Sequence, residues 1–324
     1  MNSDAENEFR LIEHYFKNLT PLSDDVVYGI GDDAAVMSVP PGHELVVSTD
    51  TLVNGIHFPD NTAPYDIGFK ALAVNLSDIA AMGAEPRWAT LCLTLPKIDK
   101  QWLQEFSRGF AEPARRYNVS LVGGDTTHGP LSISVQIMGT VKAGMSLTRA
   151  GANVGDHIFV TGTLGAAALA LSVLQNNNVP GQDMAECLSR LNRPLPRVEV
   201  GRAINGIATA AIDISDGLAA DLGHILESSA ASAIVELGQM PVCTQLQQIT
   251  DVDRYWQLAI ASGDDYELCF TVPEESVTRV ARISKELDVP ITNIGRVVEG
   301  QGDITWLNAN GEALQPGPGG YRHF

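Results

Sequence analysis

Seven aspartates stand in turns built from small residues: Asp32 and Asp33 in GIGDDAAV, Asp50 in STDT, Asp78 in NLSD, Asp125 in GGDTT, and Asp213 and Asp216 in IDISDG. Most follow an apolar run that reads as a strand, and open α/β sheets bind their ligands just outside the strand ends. Taken singly, each Asp could instead cap a helix or close a turn. Taken as a set, four carboxylates within ~5 Å of one another at an effective dielectric of ~20 would repel by about 3 kcal/mol per pair. A divalent cation relieves that repulsion. All-oxygen donors favour Mg²⁺ or Ca²⁺ over zinc.

Asp78 is the most informative of the set. It lies in ALAVNLSDIAAMG, which is apolar on nearly every face and therefore reads as a buried helix. Asn75, three residues earlier, shares its face, so one polar stripe runs through an apolar segment. The stripe either serves a metal or is satisfied by backbone and Lys70. Gly123 and Gly124 offer a bare turn whose amides could approach phosphate. Arg149 in LTRAG could clamp an oxyanion with its guanidinium fork, or be a solvated surface residue. The chain has no GxxxxGK[ST], no GxGxxG after a strand, no GxSxG and no protein-kinase signature, so any nucleotide is held by another scheme. His57 has no second His at metal spacing, and zinc is not expected there.

The elements that must position these residues form two series. Phe9, Ile12, Phe16 and Leu19 recur at helical spacing after a Ser3–Glu6 capping box. Residues 34–39 and 44–53 read as strands joined by the PPGH turn, and 64–82 as a helix opened by Pro64 and closed by Gly83. RWATLCLTLP reads as a strand and DKQWLQEFSRGFAEPARRYN as a helix. SLV and LSISVQIMGTV then read as strands flanking a GGDTTHGP loop. The glycine-rich VKAGMSLTRAGANVGD marks a boundary, giving units 1–142 and 143–324. In the second unit, HIFVTGT, ATAAIDIS, SAIVEL, DYELCFTV and PITNIGRVV read as strands alternating with helices at 165–175, 217–229 and 274–287. The expected class is α/β in both units, with mixed α+β character.

The chain has 324 residues, long enough for two cores, and 21 basic against 39 acidic side chains give a net charge of −18. That field repels phosphate at long range and argues against nucleic acid or an anionic membrane as partner. Phosphate chemistry in such a protein needs cations. The apolar runs are too short to span a bilayer, and the acidic N-terminus does not resemble a signal peptide. Cys92, Cys187, Cys243 and Cys269 are widely spaced, which suggests neither a disulfide framework nor a metal knuckle. A reduced, cytoplasmic protein is expected.

The ordered set GIGDDAAV, STDTLVNGIHF, KALAVNLSDIAAMGAEPRW, GGDTTHGPLSIS, LTRAGANVGD, VTGTLG, AIDISDGLAADLGHI, SGDDYELCFTV and GGYRHF closely resembles the bacterial thiamine-monophosphate kinases over essentially the whole chain. That family belongs with aminoimidazole ribonucleotide synthetase, selenophosphate synthetase and a hydrogenase maturation factor, which use ATP without a P-loop. The resemblance implies an N-terminal mixed sheet used for homodimerisation, a C-terminal α/β domain, and an active site in the cleft between them. It implies that Asp33, Ser48, Thr49, Asp50, Asp78, Asp125, Asp213 and Asp216 ligate several Mg²⁺ ions, directly or through water. It also implies that Gly124, Asp125, Arg149 and Ser215 meet ATP, and that His57, Asp264 and Tyr321 surround thiamine monophosphate. Asp264 stands where the family usually has Glu, one methylene longer.

The implied reaction carries the γ-phosphoryl of ATP to the phosphate of thiamine monophosphate, yielding thiamine diphosphate. The attacking oxygen is already ionised, so no general base is expected. Two other readings stay open at this point: another ATP-dependent enzyme of the superfamily, such as aminoimidazole ribonucleotide synthetase, and a nucleotide- or metal-binding regulator without turnover.

Overall fold

A computed structural model of the chain describes residues 8–176 and 184–314, and it divides into two compact units. One unit comprises Met1–Ile79 and Ala84–Gly144, the other Ala80–Gly83 and Met145–Phe324. No helix among the described residues is long and apolar enough to cross a membrane.

The first unit opens with α1 (Glu8–Leu11), continued by a π-helical turn over Ile12–Phe16. The Ser3–Glu6 capping box lies outside the described residues. Then come β1 (Val26–Tyr28), β2 (Val36–Met37), β3 (His43–Val53), α2 (Pro64–Ala81), β4 (Glu85–Leu95), α3 (Lys100–Arg116), β5 (Ser120–His128) and β6 (Ser132–Lys142). A four-stranded sheet runs β3-β6-β4-β5, antiparallel except for the parallel β4/β5 pair. Helix α2 has almost no solvated face, with Leu72, Ala73, Leu76 and Ile79 fully buried. In α3, Leu103, Phe106, Phe110 and Ala114 recur at helical spacing and form its buried stripe, worth about 1.5–3 kcal/mol for each large side chain. The Asp99 carboxylate starts that helix by accepting the Trp102 N–H at 3.1 Å.

Two readings of the sequence are corrected here. The segments around PPGH do not pair with each other, because β2 joins β1 in a separate two-stranded ribbon while β3 pairs with β6. A turn signal fixes a reversal of the chain without fixing the partner. GGDTTH is strand rather than loop, since β5 continues through it and Asp125 lies opposite Cys92. Gly124 makes this possible: its φ is 142°, and a Cβ there would overlap the Leu91 carbonyl. Gly124 brings two backbones close together instead of ending the strand.

The second unit contains β7 (His157–Thr161), α4 (Ala166–Asn176), α5 (Ala185–Asn192), α6 (Val198–Ile204), β8 (Ala210–Asp213), α7 (Leu218–Ser229), β9 (Ser232–Glu236), α8 (Val252–Ile260), β10 (Leu268–Val272), α9 (Val277–Leu287), β11 (Ile291–Val298), β12 (Ile304–Leu307) and β13 (Ala313–Leu314). Its seven-stranded sheet runs β13-β12-β9-β11-β7-β10-β8. Every residue of β7 and β10 is buried, which is why these strands read as unbroken apolar runs without alternation. Pairing is antiparallel except between β9 and β12.

Candidate functional site

In the first unit, the strand alternation of β3 decides which side chains can meet α2. Ser48 and Asp50 are half-buried, while Thr49 and Thr51 are exposed on the opposite face. The Ser48 hydroxyl donates to Asp78 Oδ2 at 2.6 Å, and Asn75 Oδ1 accepts the Asp50 N–H at 3.2 Å. Asn75 is fully buried, and its Nδ2 donates to the Ala71 carbonyl at 2.9 Å. The polar stripe of α2 therefore runs against β3. Burial, and after it the neighbouring Asp78 charge, pushes the Asp50 carboxyl up to about 6.

Thr49 is turned away from this group, and its hydroxyl accepts from Gln136 Nε2 at 3.4 Å. Asp33 is exposed, with its N–H donating to the Asp32 carboxylate at 2.8 Å. Asp125 and Gly124 are exposed on β5. His57 uses its ring locally, with Nδ1 accepting the Val53 N–H at 3.0 Å, and its carbonyl accepts from Lys70 Nζ at 3.4 Å.

In the second unit, Asp213 closes β8 opposite Leu268 and is only 6% exposed. The turn after it is held by Asp221, whose Oδ2 accepts the N–H groups of Ser215, Asp216 and Gly217 at 3.0, 3.1 and 3.1 Å. Burial pushes the Asp221 carboxyl up to about 7, against the pull of those three donors. The SGDDYEL segment lies directly on this turn. Asp264 N–H donates to the Ser215 carbonyl at 2.9 Å and Tyr266 N–H to the Ile214 carbonyl at 2.8 Å. A Cβ on Gly263 would overlap the Ser215 carbonyl, so only glycine allows this approach. Ser215 and Asp216 from the IDISDG motif and Asp264 from SGDDYEL are thus brought side by side, all half-buried, with Asp213 buried at the strand end beneath them. Arg149 is exposed, and its carbonyl accepts the Ser229 hydroxyl at 3.3 Å. Tyr321 lies outside the described residues.

Three groups in this region were not picked out from sequence. Asp221 carries a faint signal, an acid in the first turn of a helix after a Ser-Asp-Gly turn. Asp265 accepts the Gly165 N–H at 3.0 and 3.1 Å. Glu267, buried, is forked by Arg197 through two contacts of 2.5 Å and accepts the Thr161 hydroxyl at 2.6 Å. Nothing in linear sequence pairs 197 with 267.

Among the described residues, no group of three or more His, Cys, Asp or Glu side chains could hold a metal by itself. The acids come as a pair on β3 and α2 and as a strand-end patch after β8. Such oxygen-only sets suit Mg²⁺, which binds through one or two carboxylates and completes its shell with water and phosphate. The raised Asp50 carboxyl also marks a place where a cation is electrostatically wanted.

The AIR synthase related protein family matches this chain with its N-terminal domain over residues 31–141 and its C-terminal domain over residues 153–307. Thiamine-monophosphate kinase of Haemophilus influenzae is 44% identical over 302 residues, covering 93% of this chain and 92% of that protein. The crystal structure of thiamine-monophosphate kinase from Stenotrophomonas maltophilia is 43% identical, with a TM-score of 0.83 over 94% of this chain and 96% of that one. The solved structure of AaThiL complexed with AMPPCP and TMP is 30% identical, with a TM-score of 0.76 and 89% of each chain covered.

Proposed function

The chain belongs to the thiamine-monophosphate kinase family, and from that premise we propose how its own side chains carry out the reaction. It transfers the γ-phosphoryl of ATP to the phosphate of thiamine monophosphate. The observation that carries this reading is the structural match to AaThiL complexed with AMPPCP and TMP.

In this proposal Mg²⁺ ions are held by Asp33, Asp50, Asp78 and Asp125 in the first unit and by Asp213 and Asp216 in the second, directly or through water. Bound there, Mg²⁺ neutralises phosphate charge that a protein of net charge −18 would otherwise repel. Ser48 orients Asp78 through its 2.6 Å hydrogen bond, so the carboxylate plane is set before any ligand arrives. Thr49 turns its side chain away, and its share in a metal shell is by way of its backbone. Gly124 and Ser215 offer backbone close to phosphate, and Arg149 offers a bidentate fork for the transferring group. Asp264, His57 and Tyr321 receive thiamine monophosphate. The accepting phosphate oxygen is already ionised, so the chain has only to align the two phosphates and exclude water.

A second copy of the chain covers the outer face of β3. This strand pairs with β6 along all eleven residues, has no strand on its other edge among the described residues, and leaves Leu45 and Val47 nearly half exposed at 48% and 49%. A long exposed apolar edge is a liability unless covered. The proposed location is the cytoplasm, where Cys92, Cys187, Cys243 and Cys269 stay as free thiols.

The direct test is phosphoryl transfer from labelled ATP to thiamine monophosphate, with thiamine as control acceptor. Labelled thiamine diphosphate is expected only with the phosphorylated acceptor and only with Mg²⁺. Equal labelling of thiamine, or none of either, would refute the assignment.

A further inference from the structure

The segment Gly263–Glu267 has an unusual backbone. Asp264 and Tyr266 both lie in the left-handed region, with φ of 71° and 50°, on either side of Asp265. Aspartate tolerates that region better than most side chains, but a bulky tyrosine is an outlier there, and such a conformation costs about 1 kcal/mol or more. The cost is sustained because alternate residues are anchored. Asp265 takes the Gly165 N–H on both carboxylate oxygens, and Glu267 is clamped by Arg197 and Thr161. The backbone of 264 and 266 is tied to residues 215 and 214. With every other residue fixed, the side chains of 264 and 266 meet: the Tyr266 hydroxyl donates to Asp264 Oδ1 at 3.2 Å.

We propose that Tyr266 is a positioning residue, whose phenol fixes the plane of the Asp264 carboxylate so that it meets the cationic thiazolium of the substrate in one orientation. The inference rests on the proposed kinase function and on Asp264 as a substrate contact. It assigns a role to a residue that touches the substrate only through its neighbour. Asp264 has a single methylene, so its carboxylate cannot search for the ring as a longer Glu could; orientation by a fixed donor is the physical substitute.

The test uses the full-length enzyme with Mg²⁺ and compares wild type, Tyr266→Phe, Asp264→Asn and the double variant in steady-state transfer. Removing one hydrogen bond to a charged group predicts a rise of about tenfold in KM for thiamine monophosphate in Tyr266→Phe. KM for ATP and the melting temperature are expected to be unchanged, which a merely structural role would not allow. The double variant should show no higher KM than Asp264→Asn alone, because the phenol acts only through that carboxylate. An unchanged KM for thiamine monophosphate in Tyr266→Phe, additive effects in the double variant, or equal rises in both KM values with a fall in melting temperature would each overturn the proposal. Failure of the wild type to label thiamine monophosphate would overturn the function reading itself, a result visible before any variant is compared.

Discussion

Replacing Asp78 by Asn should raise the stability of the metal-free protein while nearly abolishing its activity. Two acids face each other across β3 and α2, and the ionised state of Asp50 is penalised first by burial and then by the Asp78 charge. A carboxyl moved from 3.8 to about 6 costs the folded state about 3 kcal/mol when fully ionised. Because burial is the leading cause, removal of the Asp78 charge returns less than half of this, about 1 kcal/mol. In a unit of this size that is a rise of about 2–4 °C in melting temperature. Asn keeps an oxygen in place to accept from Ser48, so the geometry has no reason to collapse. The gain must depend on pH in a definite sense. A folded-state pKa above the unfolded one means that the penalty is absent below about pH 4 and grows as pH rises through about 6. Melting curves in chelator at pH 4.5 and 7.5 should therefore diverge between variant and wild type only at the higher pH. Phosphoryl transfer at pH 7.5 with limiting Mg²⁺ should fall by ~10²-fold or more, since one ligand charge is lost. Near wild-type turnover at low Mg²⁺, or a variant less stable than wild type at pH 7.5 without metal, would refute the reasoning.

Three further outcomes follow from the same structure. Arg197→Leu leaves the buried Glu267 with the Thr161 hydroxyl and the more distant Arg190, 3.7 Å away, and should cost about 3 kcal/mol in urea unfolding; a loss under about 0.5 kcal/mol would show that the pair anchors nothing. Desolvation holds the Asp265 carboxyl well above its ordinary range, so its contribution to stability is full below the unfolded pKa and is lost as pH climbs through the folded one. Asp265→Asn should flatten that decline, measured as melting temperature between pH 5 and 8, and an unchanged slope would count against it. Leu45→Arg combined with Val47→Asp should convert a dimer to monomer in sedimentation equilibrium without lowering the melting temperature of the first unit; a wild type that sediments as a monomer would end the proposal for β3.

What could be read from the linear chain, and what could not, divides along one physical line. A residue type that is costly where it stands announces itself: Asp78 inside an apolar helix, or an acid at the end of an apolar run. Both ends of such an argument lie within a few residues, and helix α2 and the β8 turn were legible for that reason. Facing was harder. Ser48, Thr49 and Asp50 looked equivalent until β3 paired with β6, and the pleat then put Thr49 on the opposite side from its neighbours. Partnership across distance was not legible at all. The Arg197–Glu267 clamp spans 70 residues, and Gly124 looks like a loop glycine in sequence because nothing local shows the Leu91 carbonyl that would collide with a side chain.

The residues without a local signature in the sequence are mostly the ones that hold others. Asp221 gathers three amides of the turn that carries Ser215 and Asp216, and Glu267 with Asp265 pins the segment that carries Asp264. An acid offered to phosphate or metal is costly where it stands, inside an apolar helix or strand or at a strand end, and so it leaves a local signature. A group that fixes that turn must be buried and satisfied by the protein itself, and its partners come from wherever the fold supplies them. The strain at Asp264 and Tyr266 belongs to the same logic: an unfavourable backbone persists only where its neighbours over-determine it, and here those neighbours are the anchored acids on either side.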